Sequence, residues 1–267
     1  LPQFTSCCPA WVKYAEMYYP ELLNHISSCK SPIGMQGAII KTYFAKMKNI
    51  NPEKIVNVAL TPCTAKKFEI NRPELNDSSK YNNTDKLRDM DYVITTSELG
   101  LMLREKEIDF KTLEDEKYDN LLDRGSGAGL IFGNTGGVME AALRTAYKLL
   151  TGKDPDKHFL KLEEVRGYQG VRQATIKIDS IDLKVAVVYG LKNAKIFLEK
   201  LKNNDLDYQF IEVMNCPLGC VGGGGQPLTA ISALDEIRQK RVMGLYNKEE
   251  TDIIKCSYDN PDIKKIY

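Results

Sequence analysis

Residues Lys184 to Pro227 read KVAVVYGLKNAKIFLEKLKNNDLDYQFIEVMNCPLGCVGGGGQP. KVAVVY (184–189) is a β-branched run, Asn193 to Leu201 puts Ala194, Phe197, Leu198 and Leu201 on one helical face, and Tyr208 to Met214 (YQFIEVM) is a second apolar run. Strand, helix, strand in that order predicts parallel pairing, because parallel neighbours need a long crossover between them. Upstream, IVNVAL (Ile55 to Leu60) and DYVITT (Asp91 to Thr96) repeat the theme, with Ser97 placed to cap a helix from Glu98. Val138 to Leu150 carries Val138, Ala142, Leu143, Ala146, Leu149 and Leu150 among good helix formers and predicts a helix. Trp11 to His25 reads as one or two helices broken at Pro20, Lys106 to Arg124 as acidic and weakly periodic, and Gly125 to Gly137 as tightly turned backbone. The expected class is α/β, with two lobes of parallel-type sheet flanked by helices. Residues 1–227 form the main body, and 228–267 a charged helical tail expected at the periphery.

Composition narrows the function. The chain has 267 residues, Lys+Arg 37 against Asp+Glu 36, and a formal net charge of +1, so no whole-chain field gathers nucleic acid or anionic lipid. An apolar share of 43% with 27% charged residues suits a folded protein and excludes disorder as the dominant state. No apolar run nears the roughly 18–20 residues that span a bilayer. The expectation is a soluble intracellular protein without nucleic-acid or membrane partners. Because the chain opens at Leu1 and reaches a dense cysteine motif at once, it reads as a piece of a longer polypeptide.

The seven cysteines, Cys7, Cys8, Cys29, Cys63, Cys216, Cys220 and Cys256, are odd in number and include an adjacent pair, unlike a secreted disulfide framework. Thiols in a reducing compartment point to metal, and the N-x-S/T matches at Asn76 and Asn82 read as chance. Cys63 follows the strand IVNVAL through Thr61-Pro62, and Cys216 follows YQFIEVM. Carboxyl ends of parallel strands are where α/β proteins place ligands, so a cleft between the lobes is the expected site. Cys216-Pro-Leu-Gly-Cys220 leads into Gly222 to Gly225, which would let backbone approach a bulky inorganic ligand. Cys8, Cys63, Cys216 and Cys220 are a four-thiolate set from three separated loops, suited to zinc or an iron–sulfur cluster, and the glycine platform favours the cluster.

Three ordered segments carry a resemblance. Phe4-Thr5-Ser6-Cys7-Cys8-Pro9-Ala10-Trp11, then Pro62-Cys63-Thr64-Ala65-Lys66-Lys67-Phe68-Glu69, then Glu212-Val213-Met214-Asn215-Cys216 through Pro227, resemble the signatures of the [FeFe]-hydrogenases. Ser126 to Arg144 and the closing Asn260-Pro261 to Tyr267 are also similar to that family, the latter to its small-subunit segment. The resemblance implies an H-cluster, a [4Fe–4S] cluster linked to a diiron subcluster with CO, cyanide and dithiolate ligands, working with ferredoxin or a similar carrier and with maturation proteins for the diiron unit. It assigns Cys8, Cys63, Cys216 and Cys220 to the cubane, with Cys220 bridging to the diiron unit. Cys7 becomes a proton-exchanging thiol, Lys66 a donor to a cyanide ligand, and Ser27 part of the proton path. Met214, Gly223, Gly224, Gln226 and Phe132 fall against the cofactor, and Glu69 is left structural. The implied reaction is reversible reduction of protons to H2, in the cytoplasm or in an anaerobic organelle such as the hydrogenosome. By this resemblance residues 1–227 are an H-cluster domain incomplete at its amino-terminal side, lacking the glutamates that continue the proton path, and 228–267 a small-subunit-like tail.

Departures from the pattern keep two further functions open. Thr61 stands where methionine is usual, Ile33-Gly34 where a glutamine is common, and Tyr258 where the tail usually has histidine. Such changes tune a metal site without removing its ligands and leave room for an H2 sensor. A non-catalytic iron–sulfur assembly protein would keep the thiolates but has no need of Cys7, Lys66 and Met214 together. Cys29 and Cys256 read as surface or packed thiols, and His25 and His158 as solvated or capping residues. The stretch 125–137 lacks the Gly-Lys-Ser/Thr ending of a phosphate loop.

Overall fold

A computed structural model describes residues 2–118, 124–203 and 207–267. In chain order the principal elements are β1 (Gln3–Phe4), α1 (Pro9–Tyr18), α2 (Pro32–Ile39), β2 (Val58–Thr61), β3 (Tyr92–Thr95), α3 (Thr96–Glu105), α4 (Gly127–Ile131), α5 (Gly137–Thr151), β4 (Val171–Ile178), β5 (Ile181–Tyr189), α6 (Leu191–Lys202), β6 (Phe210–Met214) and α7 (Leu234–Thr251). Shorter helical turns lie between them. The chain divides into two compact units, one of residues 1–28, 124–222 and 230–267, the other of 29–123 and 223–229. The acidic stretch 106–124 falls partly outside the described residues at 119–123.

The first unit is built on a four-stranded sheet of order β1-β6-β5-β4. β5 and β6 pair in parallel, as do β6 and β1, and only the β4–β5 hairpin is antiparallel. The sheet is buried on both faces, which is why its central strands read as unbroken apolar runs. Ala186, Val188, Ile211 and Val213 pack with Trp11 and Ala15 of α1 and Phe197 and Leu198 of α6. Val185 and Val187 point the other way, into Met139 and Leu143 of α5 with Phe159, Leu162 and Ile176. A third cluster joins Ile131, Leu218 and Val221 to Val242 and Tyr246 of α7. The tail is therefore part of this unit's core and not a peripheral appendage: the amides of Gly127 and Ala128 donate to the carbonyls of Ile254 and Lys255.

The second unit carries β2 and β3, a two-stranded parallel sheet in register from Val58↔Tyr92 to Thr61↔Thr95. Ala59 and Val93 pack with Met90, Ile33 and Ile70 on one face. Polar clasps hold its connections. Lys41 donates to Asp91 at 2.6 and 2.8 Å, the side chain of Asn57 donates to the carbonyls of Gly37 and Asp89, and Lys30 bonds Asp89. α3 begins with a reciprocal capping box in which Thr95 accepts from the Glu98 amide and Glu98 accepts from the Thr95 amide.

Candidate metal centre

In the first unit the register Phe4↔Ile211 brings the loops that leave β1 and β6 to the same end of the sheet. The Thr5 amide donates to Ile211 O at 3.0 Å, and the Val213 amide donates to Thr5 Oγ1 at 3.2 Å. Ser6-Cys7-Cys8 and Asn215-Cys216 thus leave adjacent parallel strands side by side. Cys8 is the N-cap of α1, followed by Pro9 at the first helical position, and the buried Trp11 donates its indole N–H back to Thr5 O at 3.0 Å. Cys7, half-buried, is one residue outside that cap. Ser27 is drawn in from the other side of β1: Ile26 bridges Phe4, and the Ser27 amide donates to Phe4 O at 2.9 Å.

The Cys216–Cys220 segment is a tight turn with two consecutive left-handed residues, Leu218 (φ 61) and Gly219 (φ 95). A left-handed leucine is costly, and burial of its side chain in the cluster with Ile131 and Val242 offsets that cost. The segment is bonded to the turn before α5, with Thr135 N donating to Leu218 O at 3.0 Å and Val221 N to Gly133 O at 3.1 Å. A Cβ on Gly219 would sit 2.5 Å from Thr135 N, and one on Gly222 2.1 Å from Pro217 O. Phe132 ends α4, one residue before this turn. Met214 is buried at the end of β6, its carbonyl accepting from Gly190 N at 2.8 Å.

In the second unit Cys63 lies just beyond β2 on a loop stiffened by Thr61, whose Oγ1 accepts from Cys63 N at 3.2 Å and donates to Cys63 O at 3.1 Å. Gly225 N donates to Pro62 O at 2.9 Å, and Gly225 O accepts from both the amide and the hydroxyl of Ser97. A Cβ on Gly225 would meet Thr95 at 2.8 Å. The glycine run was expected to make room for an inorganic ligand. At Gly222 and Gly225 the space is taken by the protein's own backbone and by Thr95, while Gly223 is buried, Gly224 exposed and Gln226 half-buried with its amide on Gly223 O.

Lys66 opens a short helical turn beside Cys63 and is buried. Its ammonium donates to Glu69 Oε2 at 2.8 Å, and Ser31 Oγ donates to the same oxygen at 3.0 Å. A buried ammonium needs a counter-charge, so Glu69 has a task that the sequence left open: it is the ion-pair partner that fixes the position of Lys66. The Lys-x-x-Glu spacing was the available signal; Ser31 had none.

Two further groups of buried charges escaped the sequence reading. Glu212, at the middle of β6 and fully buried, accepts from Gly136 N at 2.6 Å and Met139 N at 2.7 Å. Burial pushes its carboxyl up to about 7, against the pull of those amides and of Arg172. Glu140 accepts from Arg144 and from both Arg166 nitrogens at 2.7 to 2.8 Å, and Arg144 reaches Glu249 of the tail at 3.1 Å. Cys256 is buried, which raises its thiol pKa, and Cys29 is exposed, in keeping with packed and surface roles. His25 Nδ1 donates to Pro2 O at 2.9 Å, and His158 is an exposed neighbour of Glu164.

Among the described residues no three His, Cys, Asp or Glu side chains converge closely enough to hold one metal ion. In the first unit Cys8, Cys216 and Cys220 are half-buried thiols, the donor type a multi-iron cluster takes, and in the second unit Cys63 is a half-buried thiol of the same type.

Comparison with known proteins gives the family. Residues 1–224 match the family described as iron only hydrogenase large subunit, C-terminal domain, and residues 235–267 match iron hydrogenase small subunit. The chain belongs to the iron-only hydrogenase family. It is 49% identical over 247 residues to the periplasmic [Fe] hydrogenase large subunit of Nitratidesulfovibrio vulgaris, covering 92% of this chain and 56% of that one. To iron hydrogenase 1 of Clostridium pasteurianum it is 42% identical, covering 100% and 45%. It spans about half the length of these curated relatives. An apo [FeFe]-hydrogenase variant from Chlamydomonas reinhardtii superposes with a TM-score of 0.82 at 39% identity, over 100% of this chain and 71% of that one. A cytosolic Fe-S cluster assembly factor of Danio rerio is 31% identical over 272 residues, covering 100% of this chain and 64% of that one.

Proposed function

We propose that this chain is the greater part of an [FeFe]-hydrogenase catalytic domain that interconverts protons, electrons and H2. The observation that supports the reading is the loop after β1, where Cys8 is the N-cap residue of α1 and Cys7 stands directly before it. Cys8, Cys63, Cys216 and Cys220 would hold the [4Fe–4S] part of an H-cluster, and Cys220 would also join the diiron part. When bound, that group supplies the iron site at which H2 is made or split and the route for electrons. The protein's own residues do the rest. The Cys7 Sγ carries a proton to and from the centre, and Ser27 extends that path. The Lys66 ammonium, fixed by Glu69, donates to an anionic ligand. Met214, with its polarizable side chain, and Phe132, Gly223, Gly224 and Gln226 would fall against that group. Ferredoxin or a similar carrier delivers electrons, and maturation proteins install the diiron unit. The setting is the cytoplasm or an anaerobic organelle; among the described residues no helix is long and apolar enough to cross a membrane.

The similarity to cytosolic assembly factors favours one competing reading, a non-catalytic iron–sulfur protein. Against it stand Cys7, Lys66 and Met214 together, since a carrier needs thiolates and not a proton-relaying thiol or a buried lysine. Infrared spectroscopy of the matured full-length protein tests both. Bands of metal-bound CO and cyanide, followed by H2 turnover with reduced ferredoxin, are expected; a cluster without those bands would overturn the hydrogenase reading in favour of the carrier, and bands with very slow turnover would favour a sensor.

A further inference from the structure

Helix α5 lacks a side-chain cap of its own. Its N-cap is Gly136, with φ of 91° and a Cβ position 2.2 Å from Val165 O, so no capping side chain can be placed there. The acceptor comes from another element: Glu212 of β6 takes the amides of Gly136 and Met139. The turn so anchored, 133–136, is bonded at its other end to Leu218 and Val221, and Gly219 packs flat against it. We propose that Glu212 is a positioning residue for Cys216 and Cys220, holding their segment through the α5 turn. This rests on the iron–sulfur reading above for its consequence, but the bonding chain is independent of any bound group.

Other charged groups surround the Glu212 carboxylate. Arg172 of β4 is the opposing charge, itself bonded to Thr135 Oγ1 at 3.1 Å and to Val165 O, and Tyr189 of β5 and Tyr246 of α7 bear on it. Glu140, one turn along α5, is neutralised by Arg144 and Arg166. A glutamine in place of the Glu212 carboxylate has one fewer strong acceptor for the two amides, so the turn and the cysteine segment bonded to it loosen together.

Full-length protein, reconstituted with iron and sulfide, is compared with its Glu212→Gln and Leu143→Ala variants at pH 8. Leu143, in the core beneath α5, is the control for mere destabilisation. Amide exchange at Thr135 and Val221 should quicken about tenfold or more in Glu212→Gln beyond that in Leu143→Ala. The EPR g-values of the reduced cluster should change and its midpoint potential rise only in Glu212→Gln. Wild-type exchange rates and an unaltered spectrum in that variant would overturn the proposal. If the variant fails to fold, Glu212→Asp decides, its shorter side chain drawing the carboxylate back from the Gly136 and Met139 amides: faster exchange at Thr135 and Val221 than in Leu143→Ala supports the proposal, and wild-type rates there overturn it. Wild-type protein that binds no cluster would sink the iron–sulfur reading, while the exchange measurements would still judge Glu212.

Discussion

The two units solve the problem of burial differently. The first covers its sheet with α1 and α6 on one face and α5 on the other, and fastens the tail by a buried pair between Arg144 and Glu249. The second has a parallel sheet of two strands with only one covered face: Val58, Leu60 and Tyr92 point outward at 51%, 56% and 62% exposure, and α3 buries no residue. Two strands alone are marginal in water, and parallel strands are normally sandwiched. The second unit therefore depends on local polar clasps, the first on packing. Cys63 and Lys66 belong to the unit with the weaker core, Cys8, Cys216 and Cys220 to the one with the stronger.

Substitutions can break or sharpen this contrast. The largest effect is expected for Arg144→Ala, which removes one of the two cations from a fully buried group and leaves Glu140 and Glu249 to Arg166 alone; a loss of about 3–5 kcal/mol should appear as a lower denaturation midpoint. Ile211→Ala, in the doubly covered sheet, should cost about 2–5 kcal/mol. Leu60→Ala, at the equivalent depth of β2 in sequence but facing outward, should stay within about 0.5 kcal/mol in the same titration, and a loss as large as that at Ile211 would erase the distinction.

The units also answer pH with opposite signs. Glu212 keeps its proton up to about 7 when folded, against an ordinary 4.5, so the native state binds more protons across that window. Its contribution is fully present below 4.5 and lost as pH rises through 7, by an order of about 3 kcal/mol. Glu212→Gln should flatten that slope in a plot of thermal midpoint against pH. In the second unit the hydrogen bond from Lys67, then those of Thr95, hold Glu98 down to about 2. Its contribution is present above 4.5 and fades as pH falls through 2, the smallest effect of the series because the pair is exposed. Replacing Glu98 with Gln should alter only the acid limb.

How much of this was legible depended on distance along the chain. KVAVVY and YQFIEVM declared themselves because both faces of β5 and β6 are buried, and the cysteine loops because their spacing is local. β4 went unread: only some of its residues are buried, one of them Arg172, and it turns into β5 through Asp179 in a left-handed conformation. The Glu140–Arg144 pair lies at i,i+4 and could have been suspected, but nothing in sequence ties Glu212 to Gly136, 76 positions away, or Asn134 to Val242. Long-range polar partners are chosen by the fold, and their chemistry is silent until the strands are in register.

Arg144 with Glu249, and Gly127 with Ile254, span the point at which the family divides into large and small subunit parts. Here both parts are one polypeptide, joined through Leu228 and Ile231, which stand fully in solvent. Cutting that connector with a protease should therefore leave a nicked heterodimer that co-elutes on a sizing column, its seam already written as an intersubunit interface.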